Sequence, residues 1–454
     1  MQTLWAEHAL LHSGWANDVR VTIDARGYID HVQTGVPGDG AQRVGILLPA
    51  PVNGHSHAFQ RAMAGLTERR GPDPRDSFWT WRKLMFRFLD RLTPEHVEAI
   101  AALVQMEMLE AGYATNVEFH YLHHQPGGMP YANPAEMSER IAAATVTSGI
   151  GLTLLPVHYQ FGGLDRRPLG PGQIRFGTDP DGFARLYENA SRALRDLPSD
   201  CNSGVAPHSL RAVAPDVLDR IAALTDGPMH MHLAEQQAEV DEVSACLGRR
   251  PVEWVLDNIA LGPRVSFIHC TRMQPHETVA LAQTGVVAGL CPITESSLGD
   301  GIFDAVRWFD AGGHVAIGSD SNIRIALAEE LRTLEYSQRL RDRSRAALAT
   351  ETASTGRRLF EAAARGGALA AGRESGAIRV GLLADLMALD AGHIDLAGRR
   401  GDTCLDSYVF AGDDRMVLDV WSAGRHMVRD GRHVRRAAIL AAYRAAMHDL
   451  GQTL

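Results

Sequence analysis

Cysteine is scarce in this sequence of 454 residues: Cys201, Cys246, Cys270, Cys291 and Cys404 are scattered, odd in number and without a Cys-x-x-Cys pair. Such spacing argues against a disulfide framework or a thiolate zinc site and fits a reducing compartment. Long apolar runs are missing as well. Met1 to His8 has neither a basic start nor a continuous apolar core of signal-peptide length, and no later run approaches the ~20 residues of a membrane span. The cytoplasm is therefore the expected location, with no membrane partner. Blocks of like charge are absent too. With 45 Lys and Arg against 54 Asp and Glu, the net charge of -9 offers nucleic acid no general attraction. An anionic substrate would need locally placed arginines. No low-complexity tract and no fixed-period repeat is visible.

What is present is a chain that is 45% hydrophobic and long enough to bury a large core. Residues 1 to 43 predict short strands over 4–11, 19–24 and 28–33, separated by Ser13-Gly14, Arg26-Gly27 and a Gly/Pro/Asp cluster at 35–40. From Val44 apolar strands alternate with helical stretches. Eight are expected, at 44–49, 115–120, 150–157, 203–207, 228–233, 264–269, 286–290 and 313–318, and eight β/α units make a barrel. Thr93-Pro94-Glu95 and Asn133-Pro134-Ala135-Glu136 each place a cap residue before a proline in a first helical turn, the second with a capping box to Glu136. Helices over 325–348 and 351–365 close the barrel. Strands are expected again at 384–390, 403–409, 416–422 and 426–433, then a last helix over 437–450. The β-rich unit is thus split between the two chain ends.

In such a barrel, polar residues at the carboxyl ends of strands are the informative ones. The run Val44-Gly45-Ile46-Leu47-Leu48 gives way to Pro51-Val52-Asn53-Gly54-His55-Ser56-His57, and a period of two puts both imidazoles on one side of an extended backbone. The fifth strand ends Met229-His230-Met231-His232-Leu233-Ala234-Glu235, the sixth Phe267-Ile268-His269-Cys270, and the eighth Ala316-Ile317-Gly318-Ser319-Asp320. Taken singly, His230 and His269 read as packing residues and Asp320 as a helix N-cap. Together, buried imidazoles and a carboxylate carry a desolvation cost that one divalent cation would relieve.

The constellation resembles the amidohydrolase superfamily, whose pattern is His-x-His after strand 1, His after strands 5 and 6 and Asp after strand 8. The resemblance implies a distorted (β/α)8 TIM barrel flanked by a small β-sandwich domain built from both chain ends, here residues 1–47, 48–372 and 373–454. Strand 4 ends Val205-Ala206-Pro207-His208-Ser209 with no lysine, which is similar to the mononuclear deaminase branch. His55, His57, His232 and Asp320 would then hold one Zn²⁺ per subunit, with iron as the alternative metal, and a homodimer is the expected assembly. Five stretches, 55–65, 78–82, 206–211, 232–236 and 298–301, resemble members of that branch that act on N-formimidoyl-L-glutamate in histidine degradation. Asn322 and Arg272 depart from the related deaminases, which carry His there, and neither is a ligand position.

The implied reaction is hydrolytic deamination to N-formyl-L-glutamate and ammonia. A bound Zn²⁺ lowers the pKa of its water toward ~7, giving a hydroxide that attacks the formimidoyl carbon. Asp320 and His269 would position it and take its proton, and Glu235 would carry a proton to the departing nitrogen. Two substrate carboxylates call for fixed cations, for which Arg82 and Arg211 are placed on the functional face, with Gln60, Tyr121 and His208 adding neutral hydrogen bonds. The aromatic run Phe78-Trp79-Thr80-Trp81 reads as packing. Two rival readings are a purine or pterin deaminase of the same superfamily, which would favour aromatic and amide contacts over two arginines, and a catalytically silent scaffold of the same fold.

Overall fold

A computed structural model of the chain describes residues 1–68 and 78–451, apart from the side chains of Phe78, Trp79, Thr80 and Lys83. The chain starts with β1 (Gln2–Leu11), β2 (Gly14–Ile23), β3 (Ile29–Gln33) and β4 (Gln42–Pro49). The middle supplies β5 (Val52–Ser56), β6 (Thr115–His120), β7 (Gly151–His158), β8 (Asn202–Ser203) and β9 (Ala206–Pro207). It continues with β10 (Met229–Leu233), β11 (Val265–His269), β12 (Val287–Leu290) and β13 (His314–Ile317). The end adds β14 (Leu386–Leu389), β15 (Val417–Ser422), β16 (Arg425–Arg429) and β17 (Arg432–His433).

Strands β5 to β13 form a curled parallel sheet in which β13 pairs with β5 and a short fourth strand, β8 and β9, follows β7. Backbone hydrogen bonds from Val205 N to Pro228 O (2.9 Å) and from His230 N to Val205 O (3.1 Å) join that fourth strand to β10 and close the ring. Every residue of β5, β6, β7, β10 and β11 is buried, as expected of parallel strands covered by helices outside and packed side chains inside. The helix Thr355–Ala371 seats directly on β13, because a Cβ at Gly366 would lie 2.0 Å from the Val315 carbonyl oxygen.

The two chain ends build one eight-stranded path in the order β17-β16-β15-β14-β4-β1-β2-β3, antiparallel except where β1 meets β4. Here the sequence reading needs correcting. Residues 44–49 do not form the first barrel strand; they belong to β4, a central strand of the end sheet, flanked by β1 and β14. The first barrel strand is the short, polar β5. Residues 403–409 are also not a strand but lie in the helix Asp402–Phe410, whose Cys404, Leu405, Tyr408 and Val409 are buried at helical spacing. Thr93 caps the helix Pro94–Glu110 as expected, accepting from His96 N. Asn133 caps no helix: the helix Glu136–Ser148 starts later, and the Asn133 side chain instead accepts from Ala135 N in a local turn. No helix among the described residues is long and apolar enough to cross a membrane.

Candidate metal centre and active site

Three strand ends bring the imidazoles together. The His55 and His57 rings are 4.7 Å apart, and His232 lies 5.0 Å from His55 and 5.6 Å from His57. The three offer ring nitrogens within 4.8 Å of one another, all buried. Asp320 comes to them from the end of β13, its Oδ1 3.2 Å from His57 Nε2 and 3.5 Å from His55 Nε2. Strand 8 approaches strand 1 this closely because residue 318 is glycine; a Cβ there would lie 2.7 Å from the His55 backbone N and O. Backbone bonds lock the approach, from Ser319 N and Asp320 N to His55 O and from His57 N to Asp320 O.

The ring orientations are set from behind. His57 Nδ1 donates to Phe119 O at 2.9 Å and His232 Nδ1 to His208 O at 3.2 Å, so each ring turns its Nε2 toward the cluster. Both ring nitrogens of His55 are buried without a hydrogen-bond partner. Burial, and then the neighbouring imidazoles, push the His55 and His232 pKa values well below the usual histidine range. His55 and His232, whose protonation burial opposes and of which His55 has both nitrogens unpaired, form with His57 and the Asp320 carboxylate the donor set a divalent ion needs. The residues fit a metal. His230, by contrast, is a core residue whose Nε2 donates to Ala370 O at 2.8 Å.

Beside this cluster stand further buried titratable groups. His269 Nε2 is 3.8 Å from Asp320 Oδ2 and 4.0 Å from Glu235 Oε1, and its Nδ1 is 3.3 Å from Glu295 Oε1. Burial opposes a charge on His269, but Glu235, Glu295 and Asp320 outweigh it and raise its pKa well above the usual range. Burial raises the Glu235 carboxyl. Ala234, His269 and Asp320 all sit at positive φ (50°, 72° and 44°), backbone strain of order 1–3 kcal/mol each at the strand ends that carry these groups. Asn322 joins strands 1 and 8: its Nδ2 donates to Ser56 Oγ and His57 O, and its Oδ1 accepts from Ser319 Oγ.

The cavity above is lined by all the expected substrate residues, Gln60, Arg82, Tyr121, His208 and Arg211, together with His57, His232, Glu235, His269 and Asp320. Gln60 Nε2 donates to Tyr121 Oη at 2.8 Å, the His208 ring lies tilted 5.0 Å from that of His232, and Arg82 lies over the Phe86 ring. The sequence reading missed three groups. Tyr159 accepts a hydrogen bond from Arg82 Nη2 through its Oη and lies just past the third barrel strand, β7, a position that alone could have flagged it. Glu295 was hidden in a short helix after β12. Cys291 shares a buried trio with His269 and Asp320, although burial pushes its thiol well up. Trp81 of the aromatic run lines the cavity; the Phe78 and Trp79 side chains lie outside those described.

Comparison with known proteins adds independent findings. A model described as the amidohydrolase family matches residues 46–427, and one described as the N-terminal domain of formimidoylglutamate deiminase HutF matches residues 1–45. The chain is 46% identical over 458 residues to the formimidoylglutamate deiminase of Pseudomonas aeruginosa, covering 100% of both. It is 26% identical to the 5'-deoxyadenosine deaminase of Methanothermobacter thermautotrophicus over 93% of this chain and 92% of that one. Among solved structures, an amidohydrolase from Brucella melitensis superposes with a TM-score of 0.95 at 46% identity, covering 99% of this chain and 100% of that one. An adenosine deaminase from Xanthomonas campestris with bound zinc shares the fold at a TM-score of 0.82 and 22% identity, over 99% and 98% of the two chains.

Proposed function

The chain belongs to the amidohydrolase family, and from that premise we propose that it hydrolyses N-formimidoyl-L-glutamate to N-formyl-L-glutamate and ammonia, a reaction of histidine degradation. The full-length similarity to a formimidoylglutamate deiminase supports this reading. The observation that carries it is one cavity with a histidine and carboxylate cluster at its base and two arginines, Arg82 and Arg211, on its sides. A substrate with an amidine at one end and two carboxylates at the other matches that division of charge.

His55, His57, His232 and Asp320 would hold one divalent ion, and the nitrogen-rich set favours zinc. When bound, such an ion supplies a water molecule acidified to near neutral pH. Asp320 would orient a water toward the formimidoyl carbon and accept its proton, and His269, kept protonated by Glu235, Glu295 and Asp320, would hold that water by a donated hydrogen bond. Water adds to the carbon, the bond to the terminal nitrogen breaks, and the nitrogen leaves as ammonia after protonation. Glu235, whose carboxyl is raised by burial, delivers that proton from its carboxyl oxygen. Arg82, Arg211, Gln60, Tyr121 and His208 hold the glutamate portion.

The reading carries a cytoplasmic location, which five free cysteines support, and a homodimer, which rests on the family resemblance. It also divides the chain into 1–47, 48–372 and 373–454; β4 ends at Pro49 and the last barrel helix at Ala371. Ammonia release from formimidoylglutamate, run beside a purine panel and a metal analysis, tests the proposal. Turnover of formimidoylglutamate with one divalent ion per chain is expected. Turnover of a purine alone would overturn it.

A further inference from the structure

Tyr159 stands one residue past β7 and is 3% exposed, with its hydroxyl on the cavity wall. Its Oη accepts from Arg82 Nη2 at 2.9 Å and from Gln173 Nε2 at 2.9 Å. The direction of the second bond is fixed, because Gln173 Oε1 accepts from Gly170 N at 3.0 Å and the amide must therefore present its NH₂ to the phenol. A guanidinium only donates. Both bonds therefore run into the phenol oxygen, and its own proton has no acceptor among the described residues. The ring is held against His208, with centroids 4.6 Å apart, and against Phe176, so the hydroxyl has little freedom to turn elsewhere.

We infer that the Tyr159 hydroxyl is a specificity-determining donor that binds, together with Arg82, one carboxylate of the substrate. The inference rests on the dicarboxylate reading above. A hydroxyl whose acceptor positions are filled by two fixed donors is a one-way donor, and the group it must meet in the cavity is an acceptor, which an anionic oxygen satisfies best. Gln173 and Gly170 act at one remove, as the pair that sets this polarity. The arrangement also couples the two parts of the wall, since one side chain touches both Arg82 and His208.

The test uses the metal-loaded full chain and two substrates, formimidoylglutamate and formamidine, which has the amidine and no carboxylate. Wild-type turnover of formimidoylglutamate stands or falls with the proposed function, whatever Tyr159 does. In Tyr159→Phe, kcat/KM for formimidoylglutamate should fall about 10- to 100-fold, mostly through KM, as expected for a hydrogen bond to a charged group. That loss should exceed the loss on formamidine by at least about tenfold. Losses that are equal on the two substrates, or a variant within about twofold of wild type on formimidoylglutamate, would overturn the inference. Gln173→Glu checks the polarity without removing the phenol: a carboxylate there captures the Tyr159 proton and should weaken formimidoylglutamate binding to a similar degree. Placed on top of Tyr159→Phe, it should cost nothing further. An additive loss in the double variant would overturn the assigned direction of the bonds.

Discussion

The base of the cavity carries its reactive groups on the ends of β5, β10, β11 and β13, whereas the wall takes Arg82 from the helix Phe78–Leu89 and Arg211 from the turn after β9. At the base, position is imposed by the barrel's own backbone: His55 O accepts from Ser319 N and Asp320 N, and His57 and His232 are oriented by carbonyls of neighbouring strands. On the wall, position comes from side chains holding side chains, as Tyr159 holds Arg82 and Tyr121 holds Gln60. Under the proposed function, the groups that would converge on one ion sit where the scaffold is stiffest, and those that would select the substrate sit on segments that can vary without disturbing it. Damage to the base should therefore abolish chemistry on every amidine, and damage to the wall should cost only the dicarboxylate.

The largest effect is expected from His57→Ala, which should lose metal and turnover together on any substrate; metal analysis beside an ammonia assay checks it, and full occupancy with normal turnover would remove His57 from the base. Next comes Glu235→Gln, which keeps the shape but cannot shuttle a proton. It should keep its metal and lose ~10² to 10⁴ in kcat. Turnover within a few fold of wild type would mean that another group carries the proton. On the wall, Arg82→Met and Arg211→Met should each lower kcat/KM for formimidoylglutamate by about 10² with metal content unchanged, as measured by steady-state kinetics.

The smallest effect lies outside the cavity and bears on stability alone. Asp414 is half-buried against the helix Leu327–Asp342, its Oδ1 accepting from Ala328 N and Tyr408 Oη, and desolvation raises its pKa to about 6 from 3.8. Between those two values the folded state binds more proton than the unfolded chain, so this group's contribution falls as pH rises through the window. At pH 7 the penalty is about 3 kcal/mol. Asp414→Asn keeps the acceptor and removes the charge. Its Tm should therefore gain on that of the wild type as pH rises from 4 to 7, and a pH-independent difference would contradict the shift.

The same contrast explains what could be read in the sequence. His55, His57, His232, His269 and Asp320 were legible because strand periodicity alone puts the last residues of a barrel strand on the functional face. The wall was legible only in part. Tyr159 and Glu295 act through contacts to residues far away in sequence, and Asn322 looked like a mere departure until its bonds to Ser56 and His57 were seen. The fold errors have physical causes too. Val44 to Leu48 reads as a buried parallel strand because β4 is a central strand of its own sheet, while β5 spends its inward positions on Asn53 and His55. Thr403 to Val409 is rich in strand-favouring residues, yet packing against the helix Thr355–Ala371 makes it helical.

The measurement that tests the division between base and wall most directly is the ratio of kcat/KM for formimidoylglutamate to that for formamidine, taken for the wild type, Glu235→Gln and Arg82→Met. The account predicts a ratio unchanged in Glu235→Gln, where both rates fall together, and lowered by about 10² in Arg82→Met. A ratio that stays at the wild-type value in Arg82→Met would contradict it.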